Sequence, residues 1–133
     1  MPSKMKINTE KAPAAFGPFS QAIKTDSFIF TSGQLPIDPV TGEVVGGNIK
    51  NQTRRVLNNL KAILNEAGSS LEDVVKATVY IISMDDFQAI NEIYSEFFSD
   101  PLPARSCVEV SGLAKGAKVE IEAIALVKGS NSV

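Results

Sequence analysis

Two stretches near the end of the chain combine β-strand alternation with charges that such strands seldom carry. "PARSCVEV" (103–110) and "VEIEAIAL" (119–126) hold Arg105, Cys107, Glu109, Glu120 and Glu122 among residues that otherwise look like core. Arginine in a fixed fork binds a carboxylate or phosphate through two parallel hydrogen bonds. A partly buried glutamate has its pKa raised toward neutrality and can pass protons to and from water. Together they suit a small anionic substrate attacked by water at a bond that is already labile, since no metal cluster or strong nucleophile is evident in the sequence.

Alternation places Arg105, Cys107 and Glu109 on one face, with Ser106, Val108 and Val110 on the other. Glu120 and Glu122 share a face of the following strand. If the two strands form a hairpin that pairs Cys107 with Glu120, Arg105 falls opposite Glu122 and all four lie on one surface. Each residue also has a plainer explanation. Arg105 and Glu122 would then form a cross-strand ion pair, worth less than about 1 kcal/mol if exposed. Cys107 would be a small buried hydrophobe, and Glu109 a solvent-facing strand residue. Spacing alone leaves structural and functional roles for Arg105 and Glu120 side by side.

The remaining composition narrows the chemistry. The 133 residues contain no histidine. That removes Ser-His-Asp and Cys-His catalysis, most zinc sites and the acid–base pairs typical of metal-free ribonucleases. One cysteine excludes an internal disulfide and any CxxC pair. A net charge of −2 gives no footprint for nonspecific nucleic-acid binding. Lys50, Arg54, Arg55 and Lys61 share one segment and read as a solvated helix face. "MPSKMKINTEKAPAAFGPF" lacks the apolar core of a signal peptide, and no stretch is long enough to span a membrane. The expected location is the cytoplasm.

The elements that must position these residues follow from periodicity. Lys4 to Asn8 alternate weakly as a short edge strand, and "KAPAAFGPFSQA" is a turn-rich loop. "SQAIK" and "FIFTSGQL" flank Asp26-Ser27 as a hairpin, and "IDPVTGEVV" holds further turns. Ile49, Thr53, Val56, Leu57, Leu60, Ile63, Leu64 and Ala67 then recur at helical intervals, with Asn48 as N-cap and Gly68 at C′. Val74 to Ile82 reads as a strand. Ser83 opens a capping-box-like start ahead of Phe87, Ile90, Ile93, Tyr94 and Phe97. The expected order is β-β-β-α-β-α-β-β, a single α+β domain over 1–133. Two helices cover one face of such a sheet, yet the strands are apolar on both. Val75, Ala77, Val79 and Ile81 oppose Val74, Thr78, Tyr80 and Ile82; Ile121, Ala123, Ala125 and Val127 oppose Ile124 and Leu126. Another copy of the chain is the expected cover, making an obligate homo-oligomer.

"APAAFGPFSQA", "TSGQLPIDPVTGEV", "INEIYSEFF" and above all "PARSCVEV…VEIEAIAL" closely resemble the Rid family, the reactive intermediate deaminases once grouped under YjgF. The similarity runs from Ala12 to Lys128. It implies a chorismate-mutase-like fold, one mixed β-sheet with two helices on one face, assembled as a homotrimer with sites at subunit interfaces. It also implies hydrolysis of enamine and imine intermediates (2-aminoacrylate/2-iminopropanoate and 2-iminobutanoate) to 2-oxo acids and ammonia, without cofactor or metal. Carried over by motif, Arg105 clamps the substrate carboxylate, and Cys107 contributes through its backbone and position. Glu120 orients and activates water, the Gly33 carbonyl holds the imine nitrogen, and Asn91 lines the pocket wall. Where the family's deaminases commonly read Gly-Pro-Tyr, this chain has Gly17-Pro18-Phe19; Phe19 keeps the ring and loses a hydroxyl. A non-enzymatic trimer that senses 2-oxo acids would use the same Arg105 pocket, and the family resemblance also carries a third reading, an RNA-cleaving or translation-inhibiting protein. The absent histidines and the acidic balance weigh against the latter.

Overall fold

A computed structural model describes residues 3–128, and the element order matches the periodicity. Strands β1 (Met5–Ile7), β2 (Ala22–Lys24) and β3 (Phe28–Thr31) precede helix α1 (Ile49–Glu66). Strand β4 (Val74–Ile81), helix α2 (Phe87–Phe97), strand β5 (Ala104–Glu109) and strand β6 (Val119–Leu126) follow. The six strands form one mixed sheet in the order β1-β2-β3-β6-β4-β5, and the helices pack against one of its faces.

The last two strands do not form the expected hairpin. β5 lies parallel to β4 at the sheet edge, and β6 runs antiparallel to β4 on its other side. The cause is α2, which carries the chain from β4 to β5 as a crossover and so makes that pair parallel. The connection from Val110 to Lys118 then passes the end of β4: Val110 N–H donates to Ile81 O (2.8 Å) and Ile82 N–H to Lys118 O (3.3 Å). A left-handed turn at Lys115 (φ 59°) and Gly116 (φ 71°) reverses the chain here.

Helix α1 begins where Asn48 Oδ1 accepts from Asn51 N–H (3.0 Å) and ends before Gly68 at φ 81°. Lys24 Nζ donates to Ala67 O (2.8 Å), placing a cation on the terminal carbonyls. Val56, Leu57, Leu60, Ile63 and Leu64 meet Ile90 and Ile93 of α2 and the inner sheet face of Ile29, Ala77, Val79, Ile81, Ile121, Ala123 and Ala125. One assignment is corrected. Pairing of β4 with β6 slips between Val74 and Lys76, and this irregularity exchanges faces: Val74 is 5% exposed and Val75 39%. The opposite sheet face has no cover within the protomer, and Phe28, Phe30, Val108 and Leu126 stand exposed on it with Val75. Among the described residues no helix is long and apolar enough to cross a membrane.

Buried polar side chains fix the loops rather than the core. Gln21 accepts from Thr9 N–H (2.8 Å) and donates to Thr9 O (3.0 Å) and Pro13 O (2.8 Å), tying down the loop that delivers Phe16 and Phe19. Asn59, fully buried, donates to Leu35 O (3.1 Å) and Ile37 O (3.0 Å), holding the segment after Gly33. Such groups are retained only when satisfied, and each removes freedom from a loop that would otherwise be mobile.

Candidate active site

Gly33 and Glu120 come together through an irregularity between β3 and β6. Phe30 faces Ile124 but Gln34 faces Ile121, so β3's extension carries one more residue than β6 over this span. Gln34 N–H donates to Ile121 O (2.8 Å) and Ile121 N–H to Gln34 O (3.2 Å), while the Thr31 hydroxyl accepts from Ala123 N–H (3.0 Å). Gly33 sits in this bulge, and the Glu120 carboxyl occupies the space where a Cβ would stand: its Cδ would be 2.8 Å away and Oε2 closer still. Gly33→Ala must therefore displace the carboxyl, because the backbone on both sides is paired. Turnover is expected to fall roughly tenfold or more with the fold intact, since misplacement of a reacting group by an ångström has that order of effect. Steady-state kinetics beside a circular dichroism melt check this.

The Glu120 carboxyl lines a cavity of about 240 Å³ whose other walls are Phe16, Phe19, Ser32, Gly33, Leu35 and Ala114. Phe16 and Phe19 pack edge to face with centroids 5.4 Å apart, and Lys115 Nζ lies 5.1 Å from the Phe16 centroid. Burial pushes the Glu120 pKa upward, and the neighbouring Glu122 charge on the same strand face adds to the rise. Glu122 in turn accepts a hydrogen bond from the Tyr80 hydroxyl (3.2 Å), and Tyr80 is the residue opposite Glu120 in the β4–β6 register.

Arg105, Cys107 and Asn91 lie elsewhere. The parallel β4–β5 register sets Arg105 beside Ala77 and Cys107 beside Val79, whose side chains face the helices. The β4–β6 register sets Glu120 beside Tyr80 and Glu122 beside Thr78, on the uncovered face. Within one protomer Arg105 and Glu120 thus project from opposite faces of the sheet, which corrects the expectation of one shared surface and removes the Arg105–Glu122 ion pair. Glu109 is structural: its Oε1 accepts from Met84 N–H (2.7 Å) and holds the turn before α2. The Cys107 thiol packs against the core, and burial raises its pKa more than the nearby Arg105 lowers it. A thiol shifted in that direction is a weaker nucleophile than a free cysteine.

The Arg105 guanidinium carbon stands 4.9 Å from the Tyr94 ring centroid and 5.6 Å from that of Phe87. Phe87, Asn91 and Tyr94 are spaced four and three residues apart and form one stripe along α2. That aromatic cradle was visible as helical periodicity but reads as plain core in sequence. Phe16 was missed as well, its only signal being a second ring three residues before Phe19. The Tyr94 hydroxyl is buried and has no hydrogen-bond partner among the described residues. Replacing an unsatisfied hydroxyl by hydrogen is nearly free, so Tyr94→Phe is expected to leave stability within about 1 kcal/mol of wild type or above it. Tyr94→Leu removes the ring under the guanidinium, and a cation–π contact of about 1–2 kcal/mol predicts a KM raised roughly tenfold with kcat much less changed. Melting curves and kinetics on both variants separate the ring from the hydroxyl.

Among the described residues no three His, Cys, Asp or Glu side chains gather as a metal site. A family model described as Endoribonuclease L-PSP matches residues 9–127. The chain belongs to this family, the Rid proteins. A RutC family protein of Pyrococcus abyssi is 59% identical over 92% of this chain and 97% of its own length. The 2-iminobutanoate/2-iminopropanoate deaminase of Mus musculus is 47% identical, over 90% of this chain and 89% of its own. A crystal structure of E. coli TdcF with bound serine superposes with a TM-score of 0.88 at 44% identity, covering 92% of this chain and 98% of that one. Rid-family membership and the mixed-sheet fold with two helices agree with the resemblance drawn from the sequence motifs.

Proposed function

We propose that this Rid protein, acting as a single domain in a homotrimer, hydrolyses small 2-imino acids such as 2-iminobutanoate and 2-iminopropanoate to 2-oxo acids and ammonia in the cytoplasm. The observation that carries this is the Glu120 carboxyl, held against Gly33 in a largely apolar cavity that lifts its pKa. A carboxyl tuned upward is a better reversible proton carrier than an ordinary glutamate, and an imine needs little more for hydrolysis.

Arg105 takes the substrate carboxylate in its fork, and its aromatic cradle fixes the plane of that fork. Because Arg105 and Glu120 project from opposite sheet faces, we place each site between two copies, with Arg105, Cys107 and Asn91 from one and Phe19, Gly33 and Glu120 from the next. The uncovered apolar face supplies the reason to associate. The imine nitrogen donates to the Gly33 carbonyl. Glu120 accepts a proton from water as its oxygen bonds to C2 and hands it to nitrogen as the C=N bond becomes single, giving a carbinolamine. It then takes the carbinolamine hydroxyl proton as C=O forms and delivers it to nitrogen as the C–N bond breaks. One water is consumed, and one 2-oxo acid and one ammonia leave. An enamine such as 2-aminoacrylate enters after tautomerising to its imine. Serine bound to TdcF is an amino acid of similar size, which supports a carboxylate-reading pocket in this family.

The test is release of ammonia and 2-oxobutanoate from 2-iminobutanoate generated in situ by a threonine dehydratase, with semicarbazide as competing trap. Wild-type protein should accelerate release several-fold over the no-protein control; a control rate would sink the proposal. A second function, sensing of 2-oxo acids without turnover, draws on Phe19, which lacks a hydroxyl to place water. Calorimetric 2-oxobutanoate binding together with a control rate of hydrolysis would select it. For RNA cleavage, the function in the family's description, this chain carries no histidine to serve as acid or base.

A further inference from the structure

Four basic residues share the segment from Lys50 to Lys61, and the fold divides them. Lys50 and Arg54 turn toward α2, where they lie 2.6 Å from Glu92 and 3.2 Å from Glu96. Arg55 and Lys61 instead line a groove of about 400 Å³ between α1 and the loop that carries Lys11. Asn58, Asn65 and Glu66 complete its polar wall, and none of these residues lines the Glu120 cavity.

Arg55 is the built element of this groove. Its Nε donates to Asn59 Oδ1 (3.1 Å), and Asn59 is the fully buried residue whose amide protons are spent on Leu35 O and Ile37 O. The core thus orients the Asn59 amide, the amide orients the guanidinium, and the terminal nitrogens of the fork are left for another partner. Among the described residues Lys11, Arg55 and Lys61 form no ion pair. Three cations face one carboxylate, Glu66, on a chain whose net charge is −2. An excess of cations lining one groove favours an anionic ligand there.

We propose that this groove is a second binding site, for a small anion bearing a phosphate group. A monocarboxylate would neutralise one charge and leave the others opposed. A phosphate group carries about −1.5 to −2 and three acceptor oxygens, which match a guanidinium fork, two ammonium groups and the Asn58 and Asn65 amides. The groove is of the order of size of small-ligand sites, about 300–1,000 Å³, but polar where most are apolar, so charge and hydrogen bonding select its ligand. Nothing in the imine reaction uses it, and the two sites stand or fall separately.

Pyrophosphate is the probe. Calorimetry and amide chemical-shift mapping on the full chain should show saturable binding that moves signals of Arg55, Asn58, Lys61 and Asn65, weakens as salt rises, and raises the melting temperature. Lys61→Glu and Arg55→Ala should each weaken binding at least tenfold, and Lys61→Glu, which touches no part of the Glu120 cavity, should leave imine hydrolysis and 2-oxobutanoate binding unchanged. Lys61 is exposed, so its variant keeps the fold even if loss of the Arg55–Asn59 bond loosens the loop. Absence of saturation, or full binding by both variants, would overturn the proposal. A single-stranded oligonucleotide that binds more tightly than pyrophosphate through the same residues, with a salt slope of several released ions, would overturn the small-ligand assignment.

Discussion

An equal mixture of Arg105→Ala and Glu120→Gln proteins, each inactive alone, is expected to regain about a quarter of wild-type activity once subunits exchange. Arg105 and Glu120 flank β4 on different strands and project from opposite faces of the sheet. If each site takes Arg105 from one copy and Glu120 from its neighbour, a random mixture leaves one interface in four with both groups intact. Arg105→Ala alone should lower kcat/KM by roughly thirtyfold or more, since truncating one partner of a buried charge pair is worth on the order of 2–5 kcal/mol. It should lower the melting temperature by only a few degrees, because the contact with Tyr94 and Phe87 is lost while no carboxylate of the protomer depends on Arg105. Arg105→Lys keeps the charge but loses the fork and should recover only part of the rate. Co-refolding the two variants and assaying imine hydrolysis decides the matter. If no activity returns although mass analysis finds mixed oligomers, the site is not shared between copies.

The second large effect is at Glu120. Glu120→Gln is expected to lower kcat by about 10²–10⁴ while leaving 2-oxobutanoate affinity near wild type, because the amide fills the same space and cannot carry a proton. Burial first, and the Glu122 charge second, raise the Glu120 pKa. The acid limb of kcat/KM should therefore lie above the ordinary glutamate range, activity falling as pH drops through it. Glu122→Gln removes the second cause and should move that limb toward lower pH. Stability follows the same shift with its own sign. A carboxyl whose pKa is raised on folding holds its proton more tightly in the folded state, so its ionisation destabilises the fold as pH rises through the folded pKa. Glu120→Gln should melt no lower than wild type at pH 7, and any advantage should fade below the unfolded pKa of glutamate. A pH–rate profile without an acid limb in the wild type would remove Glu120 from the proton-carrying role.

Loss of Gly33 acts on the same group from the other side, by steric displacement rather than charge. The Tyr94 pair of variants acts on Arg105 in the same indirect way. Substitutions at four positions thus separate two polar groups and the two features that place them.

The sequence alone determined the elements, because each is set by short-range periodicity and local capping. Asn48, Gly68 and the three- and four-residue spacing of Val56, Leu57, Leu60, Ile63 and Leu64 define α1 without reference to any other segment. The identities of the polar residues in "PARSCVEV" and "VEIEA", and the absence of histidine, likewise limited the chemistry to a fork, a carboxyl and water. What local pattern could not decide was which strands pair. Alternation gives Arg105 and Cys107 one face and Glu120 and Glu122 one face, but whether those faces coincide depends on strand order. Only the α2 crossover, which makes β4–β5 parallel and puts β4 between β5 and β6, sends them to opposite sides. The Val74–Lys76 irregularity is a similar case, since a single unpaired residue inverts a face and no composition announces it. Nonlocal contacts also bring Gly33 against Glu120 and give Arg54, but not Arg55, a carboxylate partner on α2, so the places where unpaired charge accumulates in this protein were decided by its tertiary structure.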